Sequence, residues 1–342
     1  MNILITGSAG FIGANFLEYF LSKYPNYNLT NLDLCTYAAD KTFINDIQHK
    51  RLDNFSFIEG DIRDRQLIES IFSKNNIQSV IHFAAESHVD NSIKEPQNFL
   101  ETNVNGTFTL IDVAKNYWME KPFMVKKEFL QSRFIHISTD EVYGSLEIDS
   151  TEQFTESSNY APSSPYSASK ASSDMLVNAY NKTFGMRTVI TNCSNNYGPR
   201  QHDEKLIPTI VRSALNEGII PIYGNGKQVR DWLYVLDHCM AIDTVFHKGK
   251  IGNTYNIGGN TEKNNLEIAS MICEILDEKC PKDKSYKDQI THVEDRPGHD
   301  LRYAIDASKI KNQLQFEPSV PFSEGIKKTI DWYINKYSFQ KK

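Results

Sequence analysis

The sequence predicts an α/β fold, a doubly wound parallel sheet with a smaller C-terminal lobe. Three observations carry that prediction. Short β-branched apolar runs, "NILIT", "LTNLDL", "FSFIEGD", "SVIHFAA", "FIHIST" and "TVITNCS", alternate with longer segments of helical spacing. Parallel strands need crossovers, so the alternation means βαβ units. The first run passes straight into a small-residue turn, Gly7-Ser8-Ala9-Gly10-Phe11-Ile12-Gly13, which opens the first helical pattern. After residue 195 the alternation gives way to Gly-, Pro- and Asn-rich stretches with short helices, such as "NNYGPRQ", "IIPIYGNGKQ" and "EDRPGHD".

The helical segments are "GFIGANFLEYFLSKY", "QLIESIFSK", "VNGTFTLIDVAKNYW" and "SASKASSDMLVNAYNKTFG", each with apolar residues at helical spacing. The last ends at Gly185, a residue suited to a helix C-terminus. The stretch "WMEKPFMVKKEFLQSRF", residues 118–134, reads as an exposed loop between helix and strand. "TYNIGG", residues 254–259, reads as a strand returning to the main sheet.

Composition narrows the function classes. With 40% hydrophobic and 23% charged residues the chain is ordinary globular protein, and no apolar run is long enough for a membrane span. The opening "MNILITG" has no basic leader, so the expected location is the cytoplasm. Five scattered cysteines without CxxC spacing predict reduced thiols, with neither a disulfide framework nor a zinc site. A net charge of −6 without a basic run speaks against nucleic acid. The histidines show no metal-ligand grouping, so no metal is expected.

Gly7, Gly10 and Gly13 form GxxGxxG between strand and helix. Small residues there let the backbone approach a pyrophosphate while the helix N-terminus offers N–H donors; a tight structural turn would use the same glycines. Asp33 ends the second strand about 20 residues later, where a carboxylate accepts from the adenosine ribose and repels a 2′-phosphate. The pair predicts a Rossmann-type unit that binds NAD rather than NADP. Asp61 and Ile62 at the third strand end are candidates to flank the adenine, although Asp61 would also serve as a helix N-cap. Phe83, Ala84, Ala85 and Ser87 follow the fourth strand toward the pyrophosphate and nicotinamide ribose. Phe11, Ile12, Leu34, Thr36, Thr102 and Asn196 complete the cofactor candidates. The expected division is residues 1–194 with a returning strand near 252–260 for the cofactor, and residues 195–251 with 261–342 for the substrate.

Tyr166 and Lys170 share a helix face at i, i+4 spacing, and a nearby ammonium makes a tyrosine a usable base. The YxxxK pattern alone decides nothing, because it recurs at Tyr19/Lys23, Tyr37/Lys41, Tyr117/Lys121, Tyr223/Lys227 and Tyr337/Lys341. Only Tyr166/Lys170 opens a helix just after a strand that delivers a hydroxyl, Thr139. Two acids, Asp140 and Glu141, follow that hydroxyl in "STDEVYG". In a continuing strand they would face opposite sides, so joint use requires the backbone to turn between Thr139 and Gly144. A helix cap or an exposed turn is the alternative for "TDE".

The order of GxxGxxG, strand-end Thr and YxxxK resembles the extended short-chain dehydrogenase/reductase superfamily. The runs "ITGSAGFIG", "FAAESHVDNSI", "STDEVYG", "PYSASKASSD", "NNYGPRQ", "KLIP", "RDWLYVLDH" and "RPGHDLRY", spanning residues 5–303, resemble the dTDP-glucose 4,6-dehydratase family in particular. The resemblance implies tightly held NAD, removal of hydride from sugar carbon 4, elimination of water across carbons 5 and 6, and hydride return to carbon 6. It implies Tyr166 as base on the 4-hydroxyl, aided by Lys170 and Thr139, with Glu141 as base and Asp140 as acid in the elimination.

It further implies a nucleotide-sugar site drawn from Ser87, Thr139, Asn195, Lys205, Leu206, Ile207, Pro208, Pro221, Ile222, Tyr223, Arg230, Asn265, Arg296, His299 and Tyr303. Arg230 and Arg296 would clamp the diphosphate, though Arg230 and Asp231 could instead form a surface ion pair. A homodimer built on a four-helix contact is implied as well. Three other readings stay open: a nucleotide-sugar 4-epimerase, which has no use for the acid pair; a dehydratase of UDP-, CDP- or GDP-sugars; and a non-catalytic dinucleotide-binding regulator.

Overall fold

The computed structural model describes residues 1–340. Strands β1 (Asn2–Thr6), β2 (Asn28–Asp33), β3 (Phe55–Glu59), β4 (Ser79–His82), β5 (Met119–Lys121), β6 (Met124–Val125), β7 (Arg133–Thr139), β8 (Thr188–Cys193), β9 (Asn195–Tyr197), β10 (Ile220–Tyr223), β11 (Val229–Tyr234), β12 (Thr254–Ile257), β13 (Glu262–Asn264) and β14 (Ile290–Val293) form four sheets. The main sheet has seven parallel strands in the order β3-β2-β1-β4-β7-β8-β12. The winding reverses between β1 and β4, and ligands of such sheets bind outside the strand ends at that point.

Strand alternation splits the apolar residues between the two faces. Ile3, Ile5, Ile81, Ile135 and Val189 meet the helix Phe11–Lys23 on one side. Leu4, Val80, Phe134 and Ile190 meet the helices Arg65–Asn75, Thr107–Trp118 and Pro165–Phe184 on the other. Continuous burial explains why these strands read as uninterrupted apolar runs. A third core lies under the helices Leu206–Leu215, Asn265–Lys279 and Phe322–Gln340.

The helix Val235–Lys248 falls in the stretch assigned to the substrate lobe, yet Cys239, Ile242, Val245 and Phe246 pack on the main sheet beside the helix Phe11–Lys23. This helix ties the C-terminal stretch to the main sheet. The long helix Pro165–Phe184 starts at a capping box between Ser164 and Ser167, with Pro165 at its first position, and stops at left-handed Gly185.

Residues 118–134 are, as the sequence predicts, a largely exposed connection between helix and strand, anchored by Trp118 and Phe129. Trp118 is buried and donates from Nε1 to Ile77 O at 2.8 Å, β5 and β6 form a small antiparallel hairpin, and Phe129 is buried against the sheet's helices. A large ring was worth burying here, and its indole N–H found a carbonyl partner. Trp118→Ala is expected to cost about 3–5 kcal/mol, read as a drop in the denaturant midpoint. An exposed ring would leave the midpoint unchanged.

Candidate active site

A cavity of about 310 Å3 opens at the carboxyl ends of β1, β4, β7 and β8. Its first half is made by the turn after β1. A Cβ on Gly7, where φ is +74°, would lie 2.5 Å from Ala84 N, and one on Gly13 would lie 2.1 Å from Gly7 O. Both glycines are required by close backbone approach. A Cβ on Gly10 would meet only Gly7 O at 3.4 Å, so the protein's own packing leaves free the space on the cavity side. The following helix, Phe11–Lys23, has no side-chain cap and no acid in its first turn. Its first N–H groups suit an anion.

Asp33 is clamped in place: Oδ2 accepts from Ala9 N at 2.8 Å and Oδ1 from Cys35 N at 2.8 Å. Burial pushes its carboxyl upward against those two donors. Leu34 and Thr36 follow it along the cavity wall, with Asp61, Ile62, Thr102 and Asn196 farther round. Phe83, Ala84, Ala85 and Ser87 form the edge after β4. Asp61 is not the helix N-cap; Asp64 takes that place, accepting from Leu67 N. Asp61 instead accepts from Arg63, at 2.8 Å from its N and 2.6 Å from Nη2.

The second half of the cavity answers the geometric condition set by "STDEVYG". Strand β7 stops at Thr139 and the chain enters a 3-10 turn, Asp140–Tyr143, closed by Gly144 at φ +90°. A Cβ on Gly144 would lie 2.4 Å from Ala161 O. Thr139 Oγ1 accepts from Glu141 N at 3.3 Å and donates to Asp140 Oδ1 at 3.4 Å. The turn puts Thr139, Asp140 and Glu141 on the cavity wall together with Tyr166 and Lys170. Lys170 is 4% exposed and donates from Nζ to Ile137 O at 2.8 Å.

The two acids have unlike surroundings. Burial raises Asp140 well above the usual carboxylate range, and the charges of Glu141 and Asp231 add to the effect; Arg230 opposes it only in part. Its Oδ2 is buried with no hydrogen-bond partner. Burial raises Glu141 too, but Arg296, Arg230 and Lys205 pull it back. Burial and Glu141 raise Tyr166 well above its ordinary value, while the Thr139 hydroxyl acts downward. Burial also lowers Lys170.

The substrate candidates separate into groups. Ser87, Asn195 and Lys205 line the cavity, and Lys205 Nζ donates to Ser87 O at 2.9 Å. Arg230 is buried, donates to Val229 O at 2.8 Å and Asp300 O at 3.0 Å, and lies 4.2 Å over the Tyr303 ring. Asp231 is no surface ion-pair partner: it is buried and accepts from Gly259 N and Thr261 N. Arg296 stands 3.5 Å from Asp90, which also accepts from Tyr223 OH at 3.4 Å. His299 Nδ1 is 2.6 Å from Asp295 Oδ1 and edge-on to Tyr223.

The remaining candidates do not line the cavity. The side chains of Ile207 and Ile222 are sealed in the third core, Pro208 is buried in the same helix, and Leu206 packs against that core. Pro221 lies half-buried in β10, and Asn265 opens the helix Asn265–Lys279 with its N on Gln228 O. Glu86, Gln201, His202 and Glu204 line the cavity and were missed. Polar residues in a loop give no signal of the cavity they face; "HDEK" beside Lys205 was the one hint.

A family model described as GDP-mannose 4,6 dehydratase matches residues 4–329. The dTDP-glucose 4,6-dehydratase 1 of Escherichia coli K12 is 49% identical over 342 residues, covering 98% of this chain and 93% of that protein. The crystal structure of Bacillus anthracis dTDP-glucose 4,6-dehydratase in complex with NAD superposes with a TM-score of 0.86 at 44% identity, covering 99% of this chain and 98% of that one. The Streptomyces venezuelae dTDP-glucose 4,6-dehydratase, also solved with NAD, gives 0.88 at 39% identity over the same shares. On this sequence and fold the chain belongs to the dTDP-glucose 4,6-dehydratase family of extended short-chain dehydrogenases/reductases.

Proposed function

We propose that the protein converts dTDP-glucose to dTDP-4-keto-6-deoxyglucose and water, with NAD as a retained cofactor. The observation that carries this reading is the turn after β7, which supports placing one hydroxyl and two unlike carboxyls beside Tyr166 and Lys170. The chain fits NAD: the space beside Gly10, the uncapped helix N-terminus and the doubly anchored Asp33 suit a pyrophosphate and an unphosphorylated ribose. Accepting and returning a hydride is the chemistry that NAD supplies when bound.

The chain's own residues handle protons. Tyr166 takes the proton of the 4-hydroxyl, with Lys170 stabilising the phenolate and Thr139 donating to the same sugar oxygen. Once carbon 4 is a ketone, the carbon 5 proton is acidic. Glu141 removes it and later returns a proton to carbon 5 to complete the 6-deoxy product, and Asp140 gives its proton to the departing 6-hydroxyl, which leaves as water. Unlike surroundings divide two carboxyls into acid and base: Asp140, next to other acids, keeps its proton, whereas Glu141, facing three cations, ionises. Arg230 and Arg296 hold the diphosphate. An epimerase would not need this pair.

The remaining elements of the reading are coarser. Residues 1–194 with the returning strand hold the cofactor, and 195–251 with 261–342 the nucleotide sugar. Exposed Leu100, Phe108 and Met175 on the helices after β4 and β7 support a homodimer with a four-helix contact. Five free cysteines suit a cytoplasmic setting.

With dTDP-glucose deuterated at carbon 4, mass spectrometry and NMR should find water lost and deuterium at carbon 6. Unchanged mass with inversion at carbon 4 would instead identify an epimerase. Glu141→Gln should still allow bound cofactor to be reduced, seen as absorbance near 340 nm, while product formation falls by about 10²- to 10⁴-fold; normal turnover would refute the base assignment. The pH dependence of elimination follows from the two shifts. Glu141 must be ionised, so the rate falls as pH drops through its raised pKa; Asp140 must be protonated, so the rate falls again as pH climbs through its own, higher one. Asp140→Asn should remove the alkaline limb from the residual rate.

A further inference from the structure

Lys170 carries a charge that the site needs and the surroundings oppose. It is almost wholly buried, and its one fixed partner is a neutral carbonyl, Ile137 O at 2.8 Å. One helical turn further on, Asp174 is fully buried on the same face of the same helix. The two side chains rest on consecutive residues of β7: Lys170 on the carbonyl of Ile137, Asp174 on the hydroxyl of Ser138. Asp174 Oδ2 accepts from Ser138 Oγ and from Tyr160 OH, each at 2.9 Å. Its Oδ1 has no hydrogen bond, although His136 Nε2 lies 3.2 Å away out of alignment. A carboxyl with two donors fixed on one oxygen is built to be an anion.

Among the other titratable groups around Lys170, Cys193 acts in the same sense as Asp174 but less strongly. His136 on β7 and His82 on β4 are driven toward the neutral form by burial and by Lys170 itself. Burial pushes the Cys193 thiol on β8 upward, and does the same for Tyr160 and for Tyr143 in the 3-10 turn. Tyr166 and Asp140 are likewise raised by burial in the resting site. Burial brings Asp174 up to about 6, while Lys170, Ser138 and Tyr160 act downward.

We propose that Asp174 is a positioning residue: it supplies the buried counter-charge that keeps the Lys170 ammonium protonated beside Tyr166. The inference rests on the reading of Tyr166 and Lys170 as the base pair for the 4-hydroxyl. Asp174 never touches the substrate; it acts through Lys170.

The test is a titration of the full-length protein labelled with 13Cε-lysine, with Lys170 assigned by its loss in Lys170→Met. The Lys170 midpoint should fall by about one pH unit or more in Asp174→Asn and stay near the wild-type value in Asp174→Glu; an unmoved midpoint in folded Asp174→Asn overturns the proposal. Coupling between two sites is reciprocal, which gives a second measurement that does not need Asp174→Asn to fold. In Lys170→Met the 13Cγ signal of Asp174 should titrate at higher pH than in wild type, and an unchanged midpoint overturns the proposal equally. Turnover separates the two layers. Full activity in Lys170→Met would sink the reading of the base pair, whereas lost activity with both titrations unmoved would sink the Asp174 inference alone.

Discussion

A β-strand sends neighbouring side chains to opposite faces, and the site depends on breaking that rule at one place. Had β7 continued past Thr139, Asp140 and Glu141 could not have shared a wall. The 3-10 turn is held by a short set of contacts: Thr139 Oγ1 on Glu141 N, Gly144 N on Glu141 O, and a positive φ at Gly144 that only glycine adopts without strain beside Ala161. Everything chemically distinctive follows from that bend. Without it, Thr139 would still stand by Tyr166 and Lys170 on the cavity wall, and the acids would lie elsewhere.

Burial then gives each group a different proton affinity. The same desolvation that raises Asp140 and Tyr166 lowers Lys170, so charges must be supplied in pairs. Cations from the substrate lobe, Arg230, Arg296 and Lys205, act on Glu141, while Asp231 from the same lobe acts on Asp140. The unlike surroundings of two adjacent carboxyls are thus set by residues about 60 to 160 positions away in the chain.

That distance explains what the sequence could and could not convey. The central strands were legible because burial on both faces leaves continuous β-branched runs, and the helix Pro165–Phe184 because its apolar spacing runs up to Gly185. Thr139, Tyr166 and Lys170 were legible as a pattern in order along the chain. The environment of Asp174 was not, since it is created by Ser138 and Tyr160 on other segments. Ile207 and Ile222 were assigned to the substrate through resemblance, whereas their apolar side chains complete a core.

The helix Val235–Lys248 leaves the substrate-side strand β11 and immediately packs on the cofactor-side sheet, before β12 joins that sheet's edge. The chain thus crosses between the units several times. No single cut separates them into pieces that each keep an intact core. A genetic crossover between two relatives that aimed to swap one substrate lobe for another would have to exchange several segments at once, or leave mismatched side chains facing Phe20 and Phe246. Substrate preference in such a fold is therefore easier to alter by single replacements along the cavity than by exchange of whole units.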